Sequence, residues 1–221
     1  MQILKLNEAI NVSMLKWAKR AYKKEEVLAR FTPIVAEWFS KKFKDLTPPQ
    51  RYAVPLIDDG KNVLVSSPTG TGKTLTAFIS IIDELFELAQ KGKLEDKVYC
   101  IYISPLRALG NDIYRNLEVP LKEIRELAAS KGIELPEIRH MIRTGDTPAN
   151  QKQKMLRKPP HILITTPESL AIMITTPKFS QKLKDVKWVI VDEIHSLCEN
   201  KRGVHLTLSL ERLEWLTGRP F

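Results

Sequence analysis

From residue 62 onward, short β-branched runs alternate with longer stretches of helical periodicity, and few folds accept that alternation. The apolar runs cover residues 62–66 (NVLVS), 97–103 (KVYCIYI), 137–142 (EIRHMI), 161–164 (HILI) and 187–191 (KWVIV). Helices are predicted between and after them, over residues 73–90, 106–129, 148–157, 167–175 and 203–216. Strands of this kind, separated by helices, imply an α/β fold: a mostly parallel sheet with helices on both faces, three layers in all. Ligands in such folds gather at the carboxyl ends of the strands. Each motif considered below falls at or near such an end, apart from the segment around residue 50.

The preceding segment reads differently. In residues 1–30, Ile10, Met14, Ala18 and Tyr22 recur at four-residue spacing among lysines, which predicts an amphipathic helical extension packed on the main domain, residues 31–221. A short helix fits Pro33 to Phe43, and Thr47 is placed to cap a further helix carrying Gln50 to Ile57. Thirty-five Lys and Arg against 26 Asp and Glu give a formal charge of +9, which favours a polyanionic partner such as nucleic acid. Cys100 and Cys198 form no CxxC pair and no zinc spacing with the four histidines, and each reads as a small, buried, reduced residue. No apolar run approaches bilayer length and the first residues lack a secretion-signal core, so the expectation is an intracellular, soluble chain with no membrane partner.

Two motifs carry chemistry. Ser67, Pro68, Thr69, Gly70, Thr71, Gly72, Lys73 and Thr74 spell SPTGTGKT between a predicted strand and a predicted helix, the setting of a phosphate-binding P-loop. The glycines let the backbone curl and aim N–H groups inward, and the helix start adds its positive end. Lys73 is placed for the β- and γ-phosphates and Thr74 for Mg2+. The strict pattern has Gly where this chain has Ser67. At residues 188–195, WVIVDEIH, an apolar strand ends in two carboxylates. Asp192 stands where such a strand holds Mg2+, and Glu193 is placed to orient or deprotonate an attacking water. His195 reads equally as a link between the nucleotide site and a neighbouring lobe or as a helix-surface residue.

The ordered set SPTGTGKT, SPLRALGND, RTGDT, ITTPESL and VIVDEIH resembles the superfamily 2 helicases. The DEIH tetrad, SPLRALGNDI and the NKRGVHLTLSLERL tail are most similar to the large helicase-related (Lhr) proteins of archaea and bacteria. The resemblance covers residues 31–219 and implies a RecA-like P-loop NTPase lobe with ATP and Mg2+ as cofactors. It implies that Gln50 reads the adenine edge, an amide having both donor and acceptor, with Phe31 or a nearby aromatic on the base. It further implies that Ser104 to Leu109, Arg143 to Thr147 and Thr165 to Leu170 track one nucleic-acid strand through its phosphates. Arg107 and Arg143 would serve as cations, Thr144, Thr165 and Thr166 as hydroxyls, Gly145 as a point of close approach, and Glu168 as the start of a phosphate-facing helix.

The resemblance also implies a strand ending in Ser-Ala-Thr beyond residue 221, and a second RecA-like lobe carrying arginine fingers. The expected function is the motor lobe of an ATP-dependent helicase acting on DNA or DNA–RNA hybrids, ahead of RNA, in repair. The expected location is the cytoplasm, at the nucleoid. An RNA-remodelling lobe and a nucleotide-dependent scaffold without unwinding are the alternatives.

Overall fold

The computed structural model describes residues 16–105, 113–198 and 200–220. Four parallel strands, β1 (Cys100–Ile103), β2 (His140–Arg143), β3 (Ile162–Thr165) and β4 (Trp188–Val191), lie in the order β2-β3-β1-β4. The helices are α1 (Lys24–Leu28), α2 (Pro33–Lys42), α3 (Pro48–Asp58), α4 (Lys73–Gln90), α5 (Val119–Ser130), α6 (Ala149–Arg157), α7 (Pro167–Thr175), α8 (Pro177–Ser180) and α9 (Lys201–Thr217).

Alternation along the strands builds two cores, because successive side chains leave opposite faces of a sheet. Cys100 and Tyr102 of β1, with Ile162 and Ile164 of β3, join a core formed with α1 to α5. Ile101, Ile103 and Leu163 join the other, formed with Met155, Leu170, Met173, Phe179, Leu206 and Leu213 from the later helices. The α/β sandwich inferred from the strand–helix alternation is therefore present, with early helices on one face and late helices on the other.

Prolines shape two helices. Pro120 has no N–H, and the chain just before it makes a π-helical turn, Tyr114–Glu118, in which the Val119 N–H donates five residues back to the Tyr114 carbonyl. Pro55 sits inside α3 and cannot donate to the Arg51 carbonyl, one turn back. The Tyr22 N–H takes that carbonyl instead, at 3.0 Å. Arg20 lies over the Tyr22 ring, 4.2 Å from its centroid.

Three expectations need correction. Cys100 is buried within β1, but Cys198 is exposed, because it lies in the turn after β4 rather than in a strand between two cores. Residues 16–23 are not helical, so Ala18 and Tyr22 do not continue a helical stripe; Ile10 and Met14 lie outside the described residues. The reason is Tyr22, whose N–H is committed to Arg51 rather than to a helical turn; helix begins at Lys24, with Glu26 accepting from the Lys23 N–H at 2.8 Å. Residues 62–66 form no strand, and Leu64 is 77% exposed. A strand exists by pairing, and none of the described strands pairs with this run; β4 stands at the sheet edge.

A buried carboxylate ties α4 to the start of α2. Asp83 accepts from the Thr32 N–H at 2.9 Å and the Thr32 hydroxyl at 2.6 Å. Desolvation outweighs these bonds and lifts its pKa from 3.8 to about 6. The folded chain thus holds the proton more tightly than the unfolded one. That advantage is complete below 3.8 and is lost as pH rises through about 6. His161 acts oppositely: burial lowers it to about 4, so its contribution is lost as pH falls from 6.5 toward 4. Asp83→Asn removes the first effect and keeps the second. Between pH 4 and pH 7 the wild type should lose about 2 kcal/mol relative to this variant, measured by urea unfolding.

Candidate functional site

The register of the sheet organises the site. Arg143, Thr165, Ile103 and Val191 are the last residues of their strands and lie in one row across the sheet. The residues that follow, Thr144, Thr166, Ser104 and Asp192, therefore leave the sheet at a common edge. The Ser104 N–H donates to the Thr165 carbonyl at 3.1 Å and the Asp192 N–H to the Ile103 carbonyl at 2.9 Å, which carries the ladder one step further. Adjacent strands are about 4.8 Å apart, so the row from Arg143 to Asp192 spans roughly three such spacings.

The loop before α4 has the curl its glycines allow. Gly70 and Gly72 have φ of +77° and +82°, a region other residues rarely adopt. The hydroxyls of Ser67 and Thr71 are 2.8 Å apart, and Thr71 donates to the Pro68 carbonyl at 2.7 Å. Lys73 Nζ donates to the Ser67 carbonyl and, at 3.3 Å, to the Pro68 carbonyl. Its ammonium thus lies over the loop, while Thr74 follows in the first turn of α4.

Gln50 packs against this loop. Its Oε1 accepts from the Thr47 N–H at 2.8 Å, and a Cβ built on Gly72 would lie 3.4 Å from its Nε2. Glycine at 72 therefore serves both the turn and the close approach of α3. A cleft of about 370 Å³ opens here, lined by Gln50, Gly70, Gly72, Phe43, Arg115 and Asn116 among others. Phe31 is not on it: that ring is buried in the core with Val27 and Ile34. The aromatics that line the cleft with Gln50 are Phe43 and Trp38, and the Phe43 ring meets both Trp38 and Phe39. The signal that could have found Phe43 is its place just before LTPPQ.

The acidic pair sits at the end of β4. Asp192 Oδ1 accepts from the Glu193 N–H at 2.9 Å, and Oδ2 accepts from the Tyr102 hydroxyl. The Tyr102 ring stacks on Phe78 of α4, with centroids 5.1 Å apart and planes 25° from parallel. The phosphate loop's helix and the acidic pair thus meet across β1. Glu193 has a left-handed backbone, φ 51°, and Oε2 lies 3.1 Å from His195 Nε2. Thr74 and Asp192 offer hard oxygen atoms, the donors Mg2+ takes beside phosphate and water.

The proposed strand-tracking residues divide into two groups. Thr165 and Thr166 are buried and their hydroxyls already have structural work. Thr165 donates to the Arg143 carbonyl at 2.7 Å, and Thr166 Oγ1 caps α7 by accepting from the Ser169 N–H at 3.4 Å. Glu168 forms a two-point ion pair with Arg202 of α9, at 2.5 and 3.3 Å, which holds its carboxyl below the usual range. Arg143 ends β2, and Thr144 and Gly145 follow in a loop closed by the Thr144 N–H on Thr147 Oγ1 at 2.8 Å. The Arg143 guanidinium lies 4.1 Å from the Phe179 ring centroid, and its partial burial lowers its pKa. Arg107 lies outside the described residues.

Gly203 lies beneath the loop that carries Glu193 and His195. A Cβ there would be 2.0 Å from the Leu197 carbonyl oxygen, inside any contact distance. Gly203→Ala must push that backbone away, and overpacking of this kind costs about 1–3 kcal/mol. A fall of that size in unfolding free energy, measured by denaturant titration, is the expected outcome.

Among the described residues no helix is long and apolar enough to cross a membrane. The DEAD/DEAH box helicase family profile matches residues 47–220. The ATP-dependent helicase Lhr-Core protein 2 of Thermococcus barophilus is 62% identical over 205 residues, covering 93% of this chain and 24% of that protein. The Lhr helicase/uracil glycosylase of Escherichia coli is 43% identical, over 84% of this chain and 12% of that one. The Mycobacterium smegmatis helicase Lhr, solved bound to ssDNA and AMP-PNP, superposes with a TM-score of 0.80 at 44% identity, over 88% of this chain and 24% of that one. The DEAD-box helicase Mss116 shares the fold, with a TM-score of 0.72 at 20% identity, over 93% of this chain and 40% of that one. The chain spans about a quarter of the length of the Lhr-Core relatives it matches. With the profile running from the segment around Gln50, through the phosphate loop and the acidic pair, to the last helix, the chain belongs to the DEAD/DEAH box helicase family.

Proposed function

We propose that this chain is the ATP-binding motor lobe of an ATP-dependent helicase that tracks single-stranded DNA. The observation that carries the reading is the contact across β1: the helix opened by Lys73 reaches the Asp192 carboxylate through Phe78 and Tyr102. In this reading the loop N–H groups and Lys73 bind the β- and γ-phosphates, while Gln50, with Phe43 nearby, meets the base. Thr74 and Asp192 would hold Mg2+, which when bound neutralises charge on the triphosphate. Glu193 orients the attacking water, its carboxylate beside the His195 imidazole.

A second lobe, by analogy with the much longer relatives, supplies arginines to the same triphosphate. An arginine finger is worth about 10³–10⁵ in turnover. The 221-residue chain alone is therefore expected to bind ATP but to hydrolyse it hardly at all. In the full-length enzyme Glu193→Gln should keep ATP binding and abolish turnover, and Lys73→Ala should lose both, measured by nucleotide binding and phosphate release. Surviving turnover in Glu193→Gln would refute the role of Glu193.

Strand binding falls to the loop after β2, since the Thr165 and Thr166 hydroxyls are engaged within the fold. Arg143 supplies charge and the Thr144–Gly145 backbone close approach, contacts that fix register without reading sequence. With about three phosphate contacts, log K should fall with log salt at a slope of roughly −2, and Arg143→Ala should flatten it by about 0.7. A fluorescence-anisotropy salt series checks both values.

The ssDNA in the related M. smegmatis structure favours DNA over RNA as the track. Strand-stimulated ATPase of the full-length enzyme on matched DNA and RNA separates the two. The reading puts the protein in the cytoplasm, at the nucleoid.

A further inference from the structure

Tyr102 is fully buried in β1, on the face that meets α4. Its neighbours on that face, Cys100, Ile162 and Ile164, are apolar, so packing by itself would be served as well by phenylalanine. A buried phenol needs a hydrogen-bond partner, and this hydroxyl donates to Asp192 Oδ2. The other carboxylate oxygen accepts from the Glu193 N–H at 2.9 Å. Asp192 is thus held at both oxygens, and a carboxylate has about four acceptor positions, so each oxygen keeps capacity for a further partner. The Tyr102 ring is itself fixed by its stack on Phe78, a fully buried residue of α4. Phe78 lies five residues beyond Lys73, about 7.5 Å along the helix axis.

We infer that Tyr102 is a positioning residue: its hydroxyl orients the Asp192 carboxylate toward the divalent cation, and its ring locks that carboxylate to the helix that carries Lys73. The inference rests on reading Asp192 as a magnesium ligand. Tyr102 does not touch the triphosphate or the ion. It acts by removing the rotational freedom Asp192 would otherwise lose on binding the cation, and by tying the acidic pair to the helix behind the phosphate loop. Partners of this kind commonly matter about 10–100-fold to the affinity of the metal they support.

The test is Tyr102→Phe in this chain, which keeps the ring and its stack and deletes the hydroxyl. Mn2+ serves as the spectroscopic stand-in, titrated by electron paramagnetic resonance in the presence of a non-hydrolysable ATP analogue. The expected result is a 10–100-fold weaker Mn2+ affinity, with metal-free nucleotide affinity and unfolding midpoint close to wild type. An equal loss of metal-free nucleotide affinity would mean general damage and overturn the claim, as would wild-type Mn2+ affinity. Asp192→Asn is measured alongside. If it too binds Mn2+ normally, the metal assignment of Asp192 fails, and the proposed function with it. If it loses Mn2+ while Tyr102→Phe does not, Tyr102 alone is misassigned. Should Tyr102→Phe not fold, 3-fluorotyrosine at position 102 of the otherwise unaltered chain gives a second reading. Its 19F resonance should move when Mg2+ is added with the nucleotide analogue, and a resonance that stays put overturns the proposal.

Discussion

The common end-point of the four parallel strands is the constraint on which the rest of this molecule depends. Arg143, Thr165, Ile103 and Val191 share one row, so the loops that follow them start side by side. Two-sided burial enforces that row. A one-residue slip of β1 would send Tyr102 to the face of α7 to α9 and Ile103 to the face of α4, moving every side chain to the wrong core. It would also shift a strand end by about 3.3 Å and separate the Tyr102 hydroxyl from Asp192. The apolar alternation that stabilises the sheet is therefore also what aligns the chemistry.

Polar groups at the strand ends do two different jobs. Some finish the fold: Thr165 satisfies the Arg143 carbonyl, Thr166 caps α7, and Glu168 clamps α9 through Arg202. Arg143 is held differently. Arg143 has no salt bridge among the described residues and is steadied by the Phe179 ring, an arrangement that keeps the cation in place without neutralising it. The hydroxyls that hold the loops still are thus what lets the neighbouring cation and backbone present a fixed surface. The same division appears at the cleft beside Gln50. The Gln50 carbonyl closes the start of α3 through Thr47, and the amide nitrogen lies against Gly72.

Much of this was legible in the sequence, because local patterns carry it. Helices predicted over residues 73–90 and 167–175 have those bounds in the structure, since Gly72 and Thr166 mark their starts in any context. The run WVIV forms β4 and ends at Val191, just before Asp192. The choice between Phe31 and a nearby aromatic stayed open because hydrophobicity does not say which ring faces a cleft: Phe31 is buried in the core, while Phe43 and Trp38 line the space beside Gln50. Tyr102 was hidden in KVYCIYI, where it reads as one more strand residue.

By itself, then, the sequence determined the layered class, most of the elements from Lys73 onward, and the segments to which phosphate and metal chemistry are proposed, because helix starts, strand alternation and glycine-rich turns are set by near neighbours. Tertiary structure alone decided who meets whom. It left residues 62–66 out of the ladder, since a strand requires a partner edge. It turned Tyr22 from helix to tether, since Pro55 leaves the Arg51 carbonyl open to it. It brought Phe78, Tyr102 and Asp192 into one contact, since only the parallel pairing of β1 with β4 sets positions 102 and 192 within reach of a single hydrogen bond.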